Sequence, residues 1–241
     1  MELTANITMR RKNKTFLSSF TFIEDCSKLR LTQVEFTLHP LEYQLYDSFS
    51  NNHRKINFIL GRYCAKMALA SLFEIKSLNQ IYIDSGIFNQ PIIKAPNLPN
   101  IQVSISHDKL ASIALAYPEE HPMGIDIESI DIDKTSAIED YLTPHEIILI
   151  NDFNHTHNLV VTIIWTAKES LSKVLKTGLT TSLSVLEIKS LELNNLGYFR
   201  CTFTNFYQYQ TISIVHKDKV ITLILPRNTE VELNTISLLG E

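Results

Sequence analysis

The chain is short of the residues that interrupt regular structure and of those that cross-link it. Its 241 residues include only 6 glycines and 8 prolines, and no low-complexity segment or flexible linker can be built from so few. The 3 cysteines, Cys26, Cys64 and Cys201, are odd in number and far apart. That suits neither a disulfide framework nor a zinc site, so each is expected to be a small buried hydrophobe. No stretch approaches the roughly 20 apolar residues of a membrane span, and the first residues lack the apolar core of a signal peptide. A cytoplasmic protein is expected. Neither sign of charge dominates: 22 Lys+Arg stand against 26 Asp+Glu, a formal net charge of −4. This gives no general attraction to nucleic acid or to an anionic membrane. The single dense basic cluster, Arg10-Arg11-Lys12-Asn13-Lys14, reads as a solvated loop.

What remains is ordinary globular material, 44% hydrophobic and 20% charged, enough for a real core in one large domain or two small ones. The two halves of the chain resemble one another. A helical pattern from about Ile56 buries Ile59, Leu60, Tyr63, Met67 and Leu72 at three- and four-residue steps and contains Ala65-Lys66-Met67. A similar pattern contains Ala167-Lys168-Glu169. Further along, Gln102-Val103-Ser104-Ile105-Ser106-His107-Asp108-Lys109 is echoed by Gln210 to Lys219, each reading as a strand, a turn and a second strand. Lys66 precedes His107 by 41 residues and Lys168 precedes His216 by 48. The expected fold is therefore α+β: two similar pseudo-symmetric halves, 1–120 and 121–241, each a helix on a small, mostly antiparallel sheet, with the active site at the interface. The joint is placed near Pro118-Glu119-Glu120-His121-Pro122. One helix start is unusually legible, Thr143-Pro144-His145-Glu146 having the form of a capping box, and it is assigned no chemistry.

Several features could carry chemistry. Gly124-Ile125-Asp126-Ile127-Glu128 alternates, so on a strand Asp126 and Glu128 face one side. Their repulsion would be relieved by a hard divalent cation; the alternative is a solvated strand face. In Trp165-Thr166-Ala167-Lys168-Glu169-Ser170-Leu171-Ser172-Lys173, helical spacing stacks Trp165, Glu169 and Lys173 on one face, ahead of a helix stop at Thr177-Gly178. A plain surface ion pair is the competing account. His107 ends a strand, where an imidazolium can meet phosphate or serve only the fold. Arg54, Lys55, Arg62 and Lys66 form a basic run that reads either as a phosphate cradle or as solvated helix exterior.

Taken together and in this order, these segments resemble the 4′-phosphopantetheinyl transferases of the Sfp type. The family's G-x-D-x-E is met by Gly124, Asp126 and Glu128, and its W-x-x-K-E-x-x-x-K by Trp165, Lys168, Glu169 and Lys173. Ser104-Ile105-Ser106-His107 is similar to its S-x-S-H segment, Phe88-Asn89-Gln90-Pro91 to its short proline-containing segment, and Gly61-Arg62 with Lys66 to its basic helix. The likeness runs from about Ile56 to Gly178. Gln90 departs from the pattern, standing where many members carry Lys or Arg.

The resemblance implies transfer of the 4′-phosphopantetheine arm of coenzyme A to a serine of an apo acyl or peptidyl carrier protein, releasing adenosine 3′,5′-bisphosphate. It implies Mg²⁺, or Mn²⁺, held by Asp126, Glu128 and Glu169, and coenzyme A held by Arg54, Arg62, Lys66, Gln90, Pro91, Ser106, His107, Lys168 and Lys173. Glu169, Lys173 and His107 are the expected catalytic residues, with Glu169 or a water as the base. Phosphoryl transfer suits such a set, since it depends on charge neutralisation and positioning more than on covalent catalysis. A duplicated chain has little need to associate, so a monomer is expected, with no nucleic acid or membrane among its partners. Two other readings of the same residues are a non-catalytic carrier-binding module and a Mg²⁺-dependent phosphodiester hydrolase.

Overall fold

The computed structural model describes residues 1–28, 31–95, 98 and 100–232. The C-terminal tail, for which the sequence suggests no role, lies beyond residue 232 and outside the described residues. The chain divides into two compact units, Met1–Pro122 and Met123–Thr229, and the short strand that follows Thr229 belongs to the first. A cut at residue 120 misses that returning strand. Among the described residues no helix is long and apolar enough to cross a membrane.

In the first unit, β1 (Glu2–Arg11) and β2 (Lys14–Ile23) form a hairpin in which Arg11 faces Lys14 and Lys12 takes the left-handed conformation. The basic cluster is thus two strand ends and a tight turn, not a loop. Helices α1 (Leu31–Glu35), α2 (Pro40–Ser48) and α3 (Asn52–Leu72) follow, then a separate hairpin of β3 (Tyr82–Ser85) and β4 (Pro91–Lys94). β5 (Ile101–Asp108) and β6 (Ala111–Pro118) complete an antiparallel sheet of order β12-β1-β2-β6-β5, in which β12 is Glu230–Val231. Helix α3 starts at Asn51, whose Oδ1 accepts from Arg54 N, and lies on the sheet. Its buried stripe is Ile59, Leu60, Cys64, Ala65, Ala68 and Leu69. Tyr63, Met67 and Leu72 are only partly buried, because the small residues let the helix settle closest along their own line. At Gly61 an added Cβ would lie 2.9 Å from Ile105 Cγ2, so glycine is what allows α3 to approach β5.

The second unit repeats the plan. β7 (Gly124–Ser129) is followed by α4 (Ile132–Glu139), α5 (Pro144–Asp152) and α6 (His157–Leu175). β8 (Ile188–Leu193), β9 (Phe199–Phe203), β10 (Tyr209–His216) and β11 (Lys219–Pro226) then complete a sheet of order β7-β11-β10-β9-β8. Helix α6 buries Val160, Val161, Ile164, Ala167 and Leu171 against it and stops where Lys176 takes a left-handed φ of 57° as its cap. The capping box at Thr143 and Glu146 is present as expected, and all three cysteines are free and buried. The fold is α+β, each unit a long helix on an antiparallel sheet.

The internal repeat is real, but its register differs from the pairing of His107 with His216. In the two hairpins Asp108 faces Ala111 and His216 faces Lys219, so His216 corresponds to Asp108 and His107 to Val215. A one-residue slip changes the face of the strand: His107 is exposed, whereas His216 and Asp108 are buried.

Candidate functional site

The second unit brings together the acidic and basic residues of the two motifs. A Cβ on Gly124 would lie 2.7 Å from the Ser170 carbonyl oxygen, so its absence lets β7 run close under α6. That approach seats Asp126 against the polar side of the helix. Lys173 Nζ donates to Asp126 Oδ1 at 2.7 Å and to the Ile125 carbonyl at 2.9 Å. Glu128 accepts from Lys134 Nζ at 2.6 Å, a lysine on α4 that the sequence reading passed over, although it sits six residues on. Asp126 is not on a solvated face: it is 1% exposed.

Glu169 shows what this crowding does. Burial first, and the charges of Asp126 and then Glu128, push its carboxyl up to about 7, with Lys173 and Lys134 opposing. Three carboxylates thus feel one another beside two ammonium groups. Among the described residues no group of three or more His, Cys, Asp or Glu side chains is disposed to hold a metal ion, since Asp126 and Glu128 are turned toward lysines. As a donor set, three hard oxygen ligands whose mutual repulsion is already expressed at Glu169 fit a divalent cation in chemistry. Trp165 is half-buried at the edge of the core, tilted against Tyr141 at 6.5 Å.

Lys66 and Lys168, expected at the cofactor, lie elsewhere. Lys168 is 1% exposed, and its Nζ donates at 2.6 Å to Glu146 Oε2. Glu146 is the capping glutamate of α5, and its other oxygen accepts from Ile188 N of β8. In the first unit Lys66 is 0% exposed and bonds Glu42, the capping glutamate of α2, whose other oxygen accepts from Ile83 N of β3. Each lysine is therefore the core of a clamp tying two helices to a strand. Neither a solvated exterior nor a phosphate cradle describes them, and coenzyme A contact is withdrawn for both.

The other expected cofactor residues gather in the first unit. Arg54, Arg62, Pro91 and His107 all line a cleft of about 660 Å³ on α3, beside Phe49, His53, Asn57 and Phe58. Gln90 is spent locally: its Oε1 accepts from Phe88 N at 3.0 Å within the β3–β4 turn. Ser106 is buried in β5. Lys55 is set aside from the cleft, with its Nζ 5.3 Å from the Tyr46 ring.

One buried and two part-buried carboxylates, Asp126 and Glu128 on β7 and Glu169 on α6, thus lie beside two lysines. Residues 122–224 match the family model of the 4′-phosphopantetheinyl transferase superfamily. The matched span includes Asp126, Glu128, Glu169 and Lys173. Among solved structures, the chain is similar to the holo-ACP-synthase from Plasmodium yoelii, at 15% identity over 49% of this chain and 96% of that one, with a TM-score of 0.35. No curated protein matches it.

Proposed function

We propose that this protein transfers the 4′-phosphopantetheine arm of coenzyme A to a serine hydroxyl of an apo acyl or peptidyl carrier protein. The observation that carries the reading is the β7–α6 group: Glu169, pushed up to about 7 beside Asp126 and Glu128, with Lys173 bonded to Asp126. The superfamily match over the same residues supports it. In this reading the serine oxygen forms a bond to the phosphorus that carries the pantetheine arm. The pyrophosphate P–O bond on the nucleotide side breaks, and adenosine 3′,5′-bisphosphate leaves.

Asp126, Glu128 and Glu169 would hold a divalent cation, Mg²⁺ or Mn²⁺, which supplies charge neutralisation at the pyrophosphate when bound. Lys173 places an ammonium group at the same acid cluster, where it meets phosphate oxygens. The serine proton goes to Glu169 or to a water held beside it; a carboxylate bound directly to a cation is the poorer base, because the cation stabilises its ionised form. In the first unit, Arg54, Arg62 and His107 are assigned the phosphates at the nucleotide end, with Pro91 in the wall beside them. The same reading includes a monomeric, cytoplasmic protein.

The test is the intact mass of an apo acyl carrier protein and an apo peptidyl carrier protein after incubation with the protein, coenzyme A and Mg²⁺, with and without chelator. A chelator-sensitive gain equal to the phosphopantetheine arm is expected. No gain on either carrier, or release of adenosine bisphosphate from coenzyme A with no carrier present, overturns the reading.

A further inference from the structure

One wall of the first-unit cleft is a ladder of two rings with a cation at each end. The Arg54 guanidinium lies 4.3 Å from the centre of the Phe49 ring. Phe49 meets Phe58 edge-on, with ring centres 5.3 Å apart and planes at 76°, and Phe58 carries the Arg62 guanidinium at 4.7 Å. All four residues line the cleft, and among the described residues no Asp or Glu does.

The charge balance beneath the ladder is uneven. Glu42 is the carboxylate beside Arg62, yet its Oε2 is engaged by Lys66 and its Oε1 by Ile83 N, and Oε1 stands 3.7 Å from Arg62 Nε. That Nε is buried and has no hydrogen-bond acceptor among the described residues, although Arg62 is only 9% exposed. Stacking occupies the face of a guanidinium and leaves its edge donors open, whereas a carboxylate partner would consume them. Two guanidiniums held by rings therefore keep donors for an incoming anion.

Among the described residues the second unit has no such ladder. Counting along α3 and α6 from the clamp lysines, Ile164 stands where Arg62 does and Val160 where Phe58 does; only Phe153, the cap of α5, matches Phe49.

Resting on the function proposed above, we propose that Phe49 and Phe58 are positioning residues of the coenzyme A cleft, holding Arg54 and Arg62 so that their open edges meet a phosphate. Which phosphate they meet, the 3′-monoester or the pyrophosphate, is separated by the ligands used in the test.

Coenzyme A and 3′-dephospho-coenzyme A are titrated calorimetrically into the full-length protein and its Phe58→Leu, Phe58→Tyr and Phe49→Leu variants, with steady-state kinetics alongside. Phe58→Leu is expected to raise Kd and KM for coenzyme A about three- to thirty-fold, the span of cation–π contacts from exposed to desolvated, with kcat changed by less than about twofold. Phe58→Tyr, which keeps the ring, restores binding. A penalty seen with coenzyme A but absent with the dephospho form assigns the arginines to the 3′-phosphate; a penalty with both assigns them to the pyrophosphate. If Phe58→Leu does not fold, Phe49→Leu carries the same expectation for Arg54. Wild-type binding with an unchanged Kd in a folded leucine variant overturns the ladder alone, as does a fall in kcat at constant KM. A wild-type protein that binds no coenzyme A overturns the function proposed above, and the ladder with it.

Discussion

The two units share one frame and differ in what is mounted on it. In both, a proline-started helix presents a capping glutamate to a buried lysine on the long helix, with sequence separations of 24 and 22 residues. The same glutamate accepts a strand amide 41 or 42 residues on. Around that common clamp the chemistry diverges. The pairing of β6 with β2 and of β11 with β7 sets Thr21 against Asp126 and Ile23 against Glu128. Counting from the lysines sets Met67 against Glu169 and Ser71 against Lys173. Apolar or hydroxyl side chains in the first unit are replaced by acids and a lysine in the second. Conversely Arg62 of the first unit faces its cleft where the second has Ile164 in its core. The frame is thus separable from the function, and each unit has specialised toward one end of a charged substrate in the reading proposed.

The sharpest contrast lies at the helix position next to the clamp. Glu169→Gln, which removes the charge at nearly constant size, is expected to lower carrier-protein transfer by at least about 10³-fold, the scale of losing a preorganised charge at a phosphoryl-transfer centre. Its counterpart Met67→Leu should leave transfer within about threefold, a near-isosteric change at a half-buried site. Rates from intact-mass assays decide it; equal losses from both would mean that α3 and α6 matter only as scaffold. Asp126→Asn is the fair partner experiment, since Asp126 is buried against Lys173 and Asp126→Ala would mix cavity and charge effects.

The clamps predict the next largest effect, now in stability. Truncating one partner of a buried ion pair strands the other charge, at a cost of about 3–5 kcal/mol. Glu146→Ala strands Lys168 alone. Glu42→Ala strands Lys66 and removes the carboxylate beside Arg62 as well, so it should be the worse of the two by urea denaturation. Replacing both members, as in Glu42→Gln with Lys66→Met, should recover much of the loss, since the fully buried Lys66 charge is then gone and only Arg62 is left without its carboxylate neighbour. If Glu146→Ala proves the more damaging, the two-cation load on Glu42 is not what distinguishes the units.

Much of this was legible in the chain. The alternation of β7 and the spacing of α6 named the residues that converge, because strand and helix periods are local rules that a sequence displays directly. The duplication was legible too, but the gap-free comparison of the hairpins shifts it by one residue from the His107 and His216 match. The burial of Lys66 and Lys168 was not legible: each is solvated or clamped according to a glutamate more than twenty residues away, and that glutamate reads as a local capping residue. Nor does local pattern reveal that Glu230–Val231 returns to β1, since Val231 meets Met9 across nearly the whole chain.

A smaller difference separates the units at the exits of β6 and β11. His121 follows Pro118 as Thr229 follows Pro226, and both side chains are buried. His121 packs on Phe16 with ring centres 4.6 Å apart, and burial together with the Arg11 charge pulls its imidazole down to about 4. The folded state therefore holds the neutral ring. Its contribution is complete above the unfolded value near 6.5 and is lost as pH falls from about 6.5 to 4, because the unfolded chain binds the proton first. Denaturation at stepped pH should show a loss of about 2 kcal/mol over that window, with allowance for solvent screening. His121→Thr, which installs the second unit's residue, should flatten it. A variant with the same acid slope as the wild type would place the sensitivity elsewhere.

The smallest expected effect concerns a feature that the units share. Each hairpin puts a lysine in the left-handed region at its first turn position, Lys109 with φ 52° and Lys217 with φ 54°. A side chain there costs about 1 kcal/mol, which glycine avoids, while glycine adds freedom to the unfolded chain of comparable size. Lys109→Gly and Lys217→Gly should therefore each change stability by about 1 kcal/mol or less, and by the same amount within measurement error. Equal values would mean that the two turns carry the same strain through the same geometry. A clear inequality would show that the acids Asp218 and Asp108, which flank the lysine on opposite sides in the two turns, weigh on the conformation more than the backbone does, so that the turns have diverged as the sites have.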